Sequence, residues 1–274
     1  MPELPEVETI VKRLISSNGD QLSLLNQTVK NSLIFWDRTL AEPNQSEFHQ
    51  RIIDQQVQAI YRRGKYLVFS LSADYLIIHL RMSGDIVVAE RMEALDPYAR
   101  MVIDFEHDLR MTFQDSRKFG RVWLVADKES VLGKLGPEPM DETFTAGDFF
   151  DRLQGYRRQI KPLLLDQTFL AGMGNIYTDE ALHMARIHPL TKSDAISFEL
   201  AQNLLTSIQR VLQQAIDRHG TSIDWIYRGG DYQRLLRVYG RTGSACPVCA
   251  STVERILVGQ RGTHFCPTCQ PAPG

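Results

Sequence analysis

The chain has 274 residues, 43% of them hydrophobic and 23% charged, with a formal net charge of -2. At roughly 150 residues per domain this suggests about two domains of ordinary globular composition, and excludes a disordered or fibrous chain. The longest apolar runs, Val122–Ala126 and Tyr75–Ile78, are too short to span a membrane, and Met1-Pro-Glu-Leu-Pro-Glu6 lacks the apolar core of a secretory signal. The cytosol is therefore the expected compartment.

Charge is unevenly distributed. Residues 127–151 carry seven acidic side chains and two lysines, whereas residues 228–269 carry six arginines and two acidic side chains. Tyr61-Arg-Arg-Gly-Lys65 and Arg117-Lys-Phe-Gly-Arg121 are also basic. A single charge run is usually a solvated face. Several on separate elements suggest a groove for an anionic polymer, even at a net charge near zero.

At the N-terminus, Val7, Ile10, Val11, Leu14 and Ile15 recur at helical spacing, with Pro5 where a helix start tolerates it. Pro2 is small enough to permit removal of Met1, which would expose a secondary amine. Such an amine condenses with an aldehyde-level carbon to give an iminium, a cationic electron sink. An α-amino group titrates near ~8, so a useful fraction is unprotonated at neutral pH. Glu3 and Glu6 follow, one able to move protons while the other holds a substrate group. Acidic residues near a helix start are also expected from the macrodipole alone.

From about residue 28 to 126 the pattern is one of strands. Tyr66–Leu71, Tyr75–Leu80, Ile86–Ala89, Met101–Phe105 and Val122–Val125 are short, rich in β-branched and aromatic residues, and punctuated by turn residues. This predicts an antiparallel sandwich or barrel. Leu135-Gly-Pro-Glu-Pro-Met140 reads as a linker. Beyond it the chain is helical. The clearest helix covers 197–218, with Phe198, Ala201, Leu204, Leu205, Ile208, Val211, Leu212 and Ala215 on one stripe and a stop near Gly220.

The four cysteines, Cys246, Cys249, Cys266 and Cys269, form C-x2-C-x16-C-x2-C. Each C-x-x-C pair aims two thiolates at one point, and two pairs complete the closed tetrahedral set of a structural zinc site. Two redox pairs are the alternative, but one redox motif would not need a second. Between the pairs, residues 252–258 and 263–265 read as a hairpin with a glycine-flanked turn that presents Arg261 near its tip. Arg261 is either an exposed turn residue or a rigidly held probe for phosphate.

Seven segments, in order from residue 2 to residue 269, resemble the formamidopyrimidine-DNA glycosylases. They are Pro2-Glu-Leu-Pro-Glu-Val-Glu8, Arg63-Gly-Lys-Tyr-Leu67, His79-Leu-Arg-Met-Ser-Gly84, Asp115-Ser-Arg-Lys-Phe-Gly120, Leu135-Gly-Pro-Glu-Pro139, Gly172-Met-Gly-Asn-Ile-Tyr177 and the cysteine tail with Gln260-Arg261. Leu4 matches this branch more closely than the endonuclease VIII branch, which usually has Gly there.

The resemblance implies an α+β multidomain chain. An N-terminal antiparallel β-sandwich is expected over 2–134, a helix–two-turn–helix domain over 135–239 and a C-terminal β-hairpin zinc finger with one Zn2+ over 240–270. It implies a monomeric bifunctional DNA glycosylase/AP lyase acting on double-stranded DNA, removing oxidised or ring-opened purines and nicking by β- and δ-elimination. Pro2 would be the Schiff-base nucleophile at C1′ and Glu3 the proton donor and acceptor at the sugar. Lys65 would serve β-elimination and Arg261 δ-elimination. Asn175 would contact phosphate from the start of a helix, and Met82, Arg117 and Phe119 would fill the space vacated by the flipped nucleotide. Arg157 and Lys161 lie in the family's basic stretch and would meet DNA. Tyr98 stands where the family often has a phosphate-contacting histidine.

Residues 223–237 are a few short of the family's usual loop over the everted base. Gly229-Gly230 gives this loop a flexible point, and Tyr227 and Tyr232 are candidates for stacking on the base. The short loop predicts weaker excision of 8-oxoguanine than of formamidopyrimidines. Two alternatives remain at this level: a pyrimidine-preferring glycosylase and a zinc-finger DNA binder without catalysis.

Overall fold

The computed structural model describes residues 1–16, 23–222 and 229–273. Helix α1 (Leu4–Ile15) opens the chain, with Pro5 in its first turn, where a missing N–H costs nothing. Its Leu4, Val7, Ile10, Val11 and Leu14 are buried along one stripe.

Among the described residues nine strands follow: β1 (Val29–Ile34), β2 (Leu40–Glu42), β3 (Val57–Arg63), β4 (Tyr66–Leu71), β5 (Tyr75–His79), β6 (Gly84–Glu90), β7 (Ala99–Phe105), β8 (Leu109–Asp115) and β9 (Arg121–Val125). Helix α2 (Gln45–Ile52) interrupts them, its first turn capped by Asn44 Oδ1 accepting the Glu47 N–H at 3.1 Å. The strands form two sheets, ordered β1-β7-β8-β6 and β2-β9-β5-β4-β3. Val7, Ile10, Phe48, Phe69, Ile78, Met101, Phe113 and Leu124 share one core that draws on both sheets and both helices. The sandwich departs from the expected antiparallel pattern at one pairing: β2 lies parallel to β9, with Leu40 opposite Val122. Three residues are too few to show an alternation in sequence, so this edge strand is recruited by the sheet rather than by its own pattern.

Helix α3 (Glu129–Leu132) ends the first compact unit, which comprises Met1–Lys134 with the described residues of Ser222–Gly230. The second unit is Leu135–Thr221 with Asp231–Gly274. It holds α4 (Ala146–Gln154), α5 (Ile160–Leu164), α6 (Asn175–Ala185), α7 (Phe198–Asp217) and the hairpin of β10 (Glu254–Val258) and β11 (Arg261–Phe265). The hairpin and the cysteines that flank it fall in the same compact unit as these helices.

Helix α4 is set by a capping box, in which the Thr145 N–H donates to Asp148 Oδ2 and the Asp148 N–H to Thr145 Oγ1. Helix α7 starts at Ser197, whose Oγ accepts the Leu200 N–H, and stops where the Gly220 N–H returns to the Ala215 carbonyl at 2.7 Å. Among the described residues no helix is long and apolar enough to cross a membrane.

Candidate active site and metal centre

In the first unit, Glu3 is the N-cap of α1, and its backbone N–H donates to Glu6 Oε2 at 2.8 Å. Both carboxyl-bearing residues are 3% exposed, and Pro2 is buried beside them. The positive end of the helix macrodipole favours carboxylates there, which is how two acidic side chains are held at a buried position. Pro2 nitrogen is amide-bonded to Met1 in the chain as encoded, so it becomes an amine only when Met1 is removed.

Lys65 sits in the two-residue turn Gly64-Lys65 that joins β3 to β4, closed by the Arg63–Tyr66 pair. Gly64 takes a left-handed φ of 58° there, the conformation such hairpins require. Lys65 is buried, unlike an ordinary solvated turn residue. Burial pushes His79 down to about 3, helped by the charges of Arg81 and Lys65. The neutral imidazole accepts the Arg81 N–H at Nδ1, 3.0 Å away.

Two loops of this unit carry Met82, Arg117 and Phe119, and one carboxylate ties them together. Asp115 is 1% exposed. Its Oδ1 accepts the Ser83 hydroxyl and, at 3.2 Å, the Arg117 N–H; its Oδ2 accepts the Gly120 N–H at 2.7 Å. Phe113 lies against both loops: a Cβ on Gly120 would stand 2.2 Å from its ring, and one on Gly84 2.8 Å. The loop pinned in this way leaves Arg117 and Phe119 exposed, with the guanidinium 5.2 Å from the centre of the phenyl ring. Lys118 reaches the Trp36 ring at 4.1 Å, a cation–π contact that fixes the loop's other side. Met82 is half-buried. Tyr98 is exposed beside the same turn, its carbonyl accepting the Asp115 N–H at 2.9 Å. Ser83 and Asp115 were visible only as letters of two motifs; their joint role needs the structure.

In the second unit Asn175 opens α6, following Gly174 at the N-cap. Its Nδ2 donates to the Gly262 carbonyl at 3.1 Å. Gly259 and Gln260 form the hairpin turn with φ of 55° and 61°, leaving Arg261 exposed as the first residue of β11. The sequence placed this turn at 259–262, two residues longer. Arg157 is exposed, with Nε 3.3 Å from Asp194. Arg158 Nη1 pairs with Asp166 Oδ2 at 2.7 Å.

Lys161 corrects an expectation. Rather than being presented to DNA, it is fully buried, its ammonium 2.6 Å from Asp179 Oδ1 and 3.1 Å from the Gly262 carbonyl. The other Asp179 oxygen accepts the His264 N–H at 2.9 Å. These contacts join α5, α6 and β11 at one buried point, where loss of either charged partner would leave the other uncompensated. Tyr232 is likewise not available for stacking on a base. It is buried, its ring 5.7 Å from that of Tyr177, which bonds Thr221 Oγ1 at 2.8 Å. Tyr227 and the rest of 223–228 lie outside the described residues.

The four cysteine sulfurs lie within 4.8 Å of one another. Cys249–Cys266, Cys249–Cys269 and Cys246–Cys269 separations are 3.4, 3.5 and 3.9 Å. A tetrahedron with Zn–S of about 2.3 Å has edges of about 3.8 Å, so the cluster fits zinc, while all these distances are far too long for an S–S bond. With all four corners taken by thiolates, the site has no open position and is structural.

Three family models cover the chain: the formamidopyrimidine-DNA glycosylase N-terminal domain over residues 1–122, the formamidopyrimidine-DNA glycosylase H2TH domain over 135–226, and the zinc finger found in FPG and IleRS over 243–272. The formamidopyrimidine-DNA glycosylase of Protochlamydia amoebophila is 42% identical over 98% of this chain and 99% of its own length. A solved structure of MutM with DNA containing carbocyclic 8-oxo-G superposes with a TM-score of 0.90 at 36% identity, covering 99% of this chain and all of that one. Lactococcus lactis FPG (MutM) with Fapy-dG DNA gives the same TM-score at 35% identity, covering 98% of this chain and all of that one. The finger accordingly holds one structural zinc ion. With domain models matching most of the sequence and relatives aligned along nearly its full length, the chain belongs to the formamidopyrimidine-DNA glycosylase family.

Proposed function

We propose that the chain performs base-excision repair on double-stranded DNA, as a glycosylase of oxidised and ring-opened purines and a lyase of the resulting abasic sites. The solved relatives bind DNA carrying an 8-oxo-G analogue and Fapy-dG, which supports that lesion class. The buried Pro2-Glu3 pair at the start of α1 carries the reading.

Once Met1 is removed, the Pro2 nitrogen attacks C1′ as the bond from C1′ to the damaged base breaks and the base leaves protonated. With the Pro2 proton gone to the departing base, the product is an aminal; its C1′–O4′ ring bond then breaks as O4′ takes a proton from Glu3, leaving a ring-opened sugar joined to Pro2 as an iminium at C1′. Glu3 gives and takes the sugar protons, its backbone fixed by Glu6, which also holds a substrate group. Loss of a C2′ proton expels the 3′-phosphate in β-elimination, with Lys65 as the cation on that phosphate. A second elimination expels the 5′-phosphate, with Arg261 in the equivalent role; its planar fork suits a phosphate bidentately.

Asn175, Arg157 and Tyr98 contact the backbone. Met82, Arg117 and Phe119 occupy the gap left by the extruded nucleotide, where extrusion costs a few kcal/mol of lost stacking. The same reading has the protein work as a monomer in the bacterial cytosol, in keeping with the bacterial source of its relatives.

Borohydride reduction during reaction with lesion DNA tests the reading. Protein lacking Met1 is expected to give a covalent protein–DNA adduct, and Pro2→Gly, with a primary amine, to lose most turnover. Trapping by a chain that mass spectrometry shows to retain Met1 would remove Pro2 as the nucleophile. A folded, DNA-binding chain with a free Pro2 that traps nothing would favour a binder without catalysis.

A further inference from the structure

Helix α6 carries Asn175, Asp179 and His183 at four-residue spacing, and therefore on one face. All three meet the zinc-bearing segment. Asn175 Nδ2 donates to the Gly262 carbonyl, Asp179 Oδ2 accepts the His264 N–H, and His183 Nε2 lies 3.4 Å from Cys246 Sγ. The first two contacts hold the hairpin strand; the third reaches a metal ligand directly.

His183 is 2% exposed. Its Nδ1 is buried and has no hydrogen-bond partner among the described residues. A neutral imidazole carries one N–H, and the nitrogen facing Cys246 is the one with a partner to receive it. The other nitrogen is then a buried lone pair left unpaired, an unfavourable arrangement that a phenyl ring of similar size would avoid. An imidazole at this position is explained by what Nε2 does.

We propose that His183 donates its Nε2–H to the zinc-bound Cys246 thiolate and thereby governs how tightly the finger retains its metal. It is a positioning residue and not a ligand, since the four thiolates already fill the tetrahedron. A hydrogen bond to a thiolate draws charge from the sulfur, making it a poorer target for protons and competing electrophiles, and it fixes the side-chain rotamer for coordination. Partners of this kind commonly change metal affinity by about 10–100-fold. The same bond fastens the first cysteine pair to the last turns of the helix that Asn175 opens.

The test uses full-length protein loaded with zinc, one ion per chain by metal analysis, challenged with a chromogenic chelator. His183→Phe keeps the ring volume and removes the donor; it is expected to release zinc at least ~10-fold faster than the parent. His183→Gln places an amide nitrogen at a similar reach and is expected to stay near the parental rate. If the Phe variant does not load zinc, His183→Met takes its place as a flexible side chain without N–H. Cobalt substitution adds a second readout: without the hydrogen bond, the sulfur-to-metal charge-transfer band is expected to move to longer wavelength. Parental release and an unshifted band in the donor-less variant would overturn the proposal. So would a Gln variant that releases zinc as fast as the donor-less one, because that would assign the effect to packing.

Discussion

The Ser83 hydroxyl donates to Asp115 Oδ1, and the backbone N–H of Arg117 bonds both partners, Ser83 Oγ at 3.1 Å and Asp115 Oδ1 at 3.2 Å. One buried carboxylate therefore sets the positions of the turn carrying Met82 and of the loop carrying Arg117 and Phe119. In the proposed function these three side chains fill the gap left by an extruded nucleotide, so their mutual placement matters more than the identity of any one of them. Asp115→Ala would leave two buried donors, the Ser83 hydroxyl and the Gly120 N–H, without their acceptor while the Arg117 N–H keeps Ser83 Oγ, a loss of about 3 kcal/mol. For a chain of this size that corresponds to a fall in Tm of roughly 6–12 °C. Excision of lesion DNA is expected to fall further than binding to undamaged DNA, measured by single-turnover cleavage beside a titration. Equal losses in both would show that Asp115 acts through stability alone.

The zinc site was legible because its four ligands come as two local pairs, and local spacing survives folding unchanged. Helix α7 was legible from its long apolar stripe. Strand β2 was not, because its three residues pair in parallel with a strand some eighty positions later. Lys161 was misread for a related reason. Its charge and its basic neighbours suggest a solvated face, but its burial is decided by Asp179, 18 residues on, and Gly262, 101 residues on. Tyr232 has an aromatic ring suited to a base, yet Tyr177 already packs against it. In each case the residue type was informative and the partner was distant.

His79 gives the first unit a pH dependence of known sign. Its folded value is about 3, below the ordinary 6.5, because burial and the charges of Arg81 and Lys65 disfavour the imidazolium. The unfolded chain therefore binds a proton that the folded chain refuses between these two values. The stability contributed by the neutral ring is fully present above pH 6.5 and is lost as pH falls toward 3, by up to about 1.4 kcal/mol per pH unit. Thermal unfolding from pH 7 to pH 4 is expected to show a steeper fall for the parent than for His79→Gln. Parallel curves would rule out His79 as a source of acid sensitivity.

Removal of one zinc ligand is expected to act on the second unit alone. Structural zinc in a thiolate site contributes on the order of 10 kcal/mol of apparent binding free energy to the segment it folds. Cys249→Ser is expected to release the metal, disorder the hairpin that presents Arg261, and weaken DNA binding strongly. The core built on α1 and the two sheets should keep its own unfolding transition, because none of its side chains comes from the finger. Unchanged DNA affinity in zinc-free protein would exclude the hairpin from DNA recognition.

The contrast between Lys161 and Arg261 can be read from salt dependence. Each phosphate contact made by a cation releases a counterion and adds about 0.9 to the slope of log affinity against log salt concentration. Arg261 is exposed, so Arg261→Ala should lower that slope by about one and weaken binding alike on all sequences. Lys161 spends its charge on Asp179, with both side chains at 0% exposure. Lys161→Ala should therefore leave the salt slope of the folded protein unchanged. It should instead cost about 3–5 kcal/mol of stability, because Asp179 is left as a buried charge without its ammonium partner. Binding isotherms at several salt concentrations, beside thermal unfolding of both variants, decide between the roles. A slope reduced by one in Lys161→Ala, with little change in Tm, would return Lys161 to the DNA interface and require the Asp179 pair to open on binding.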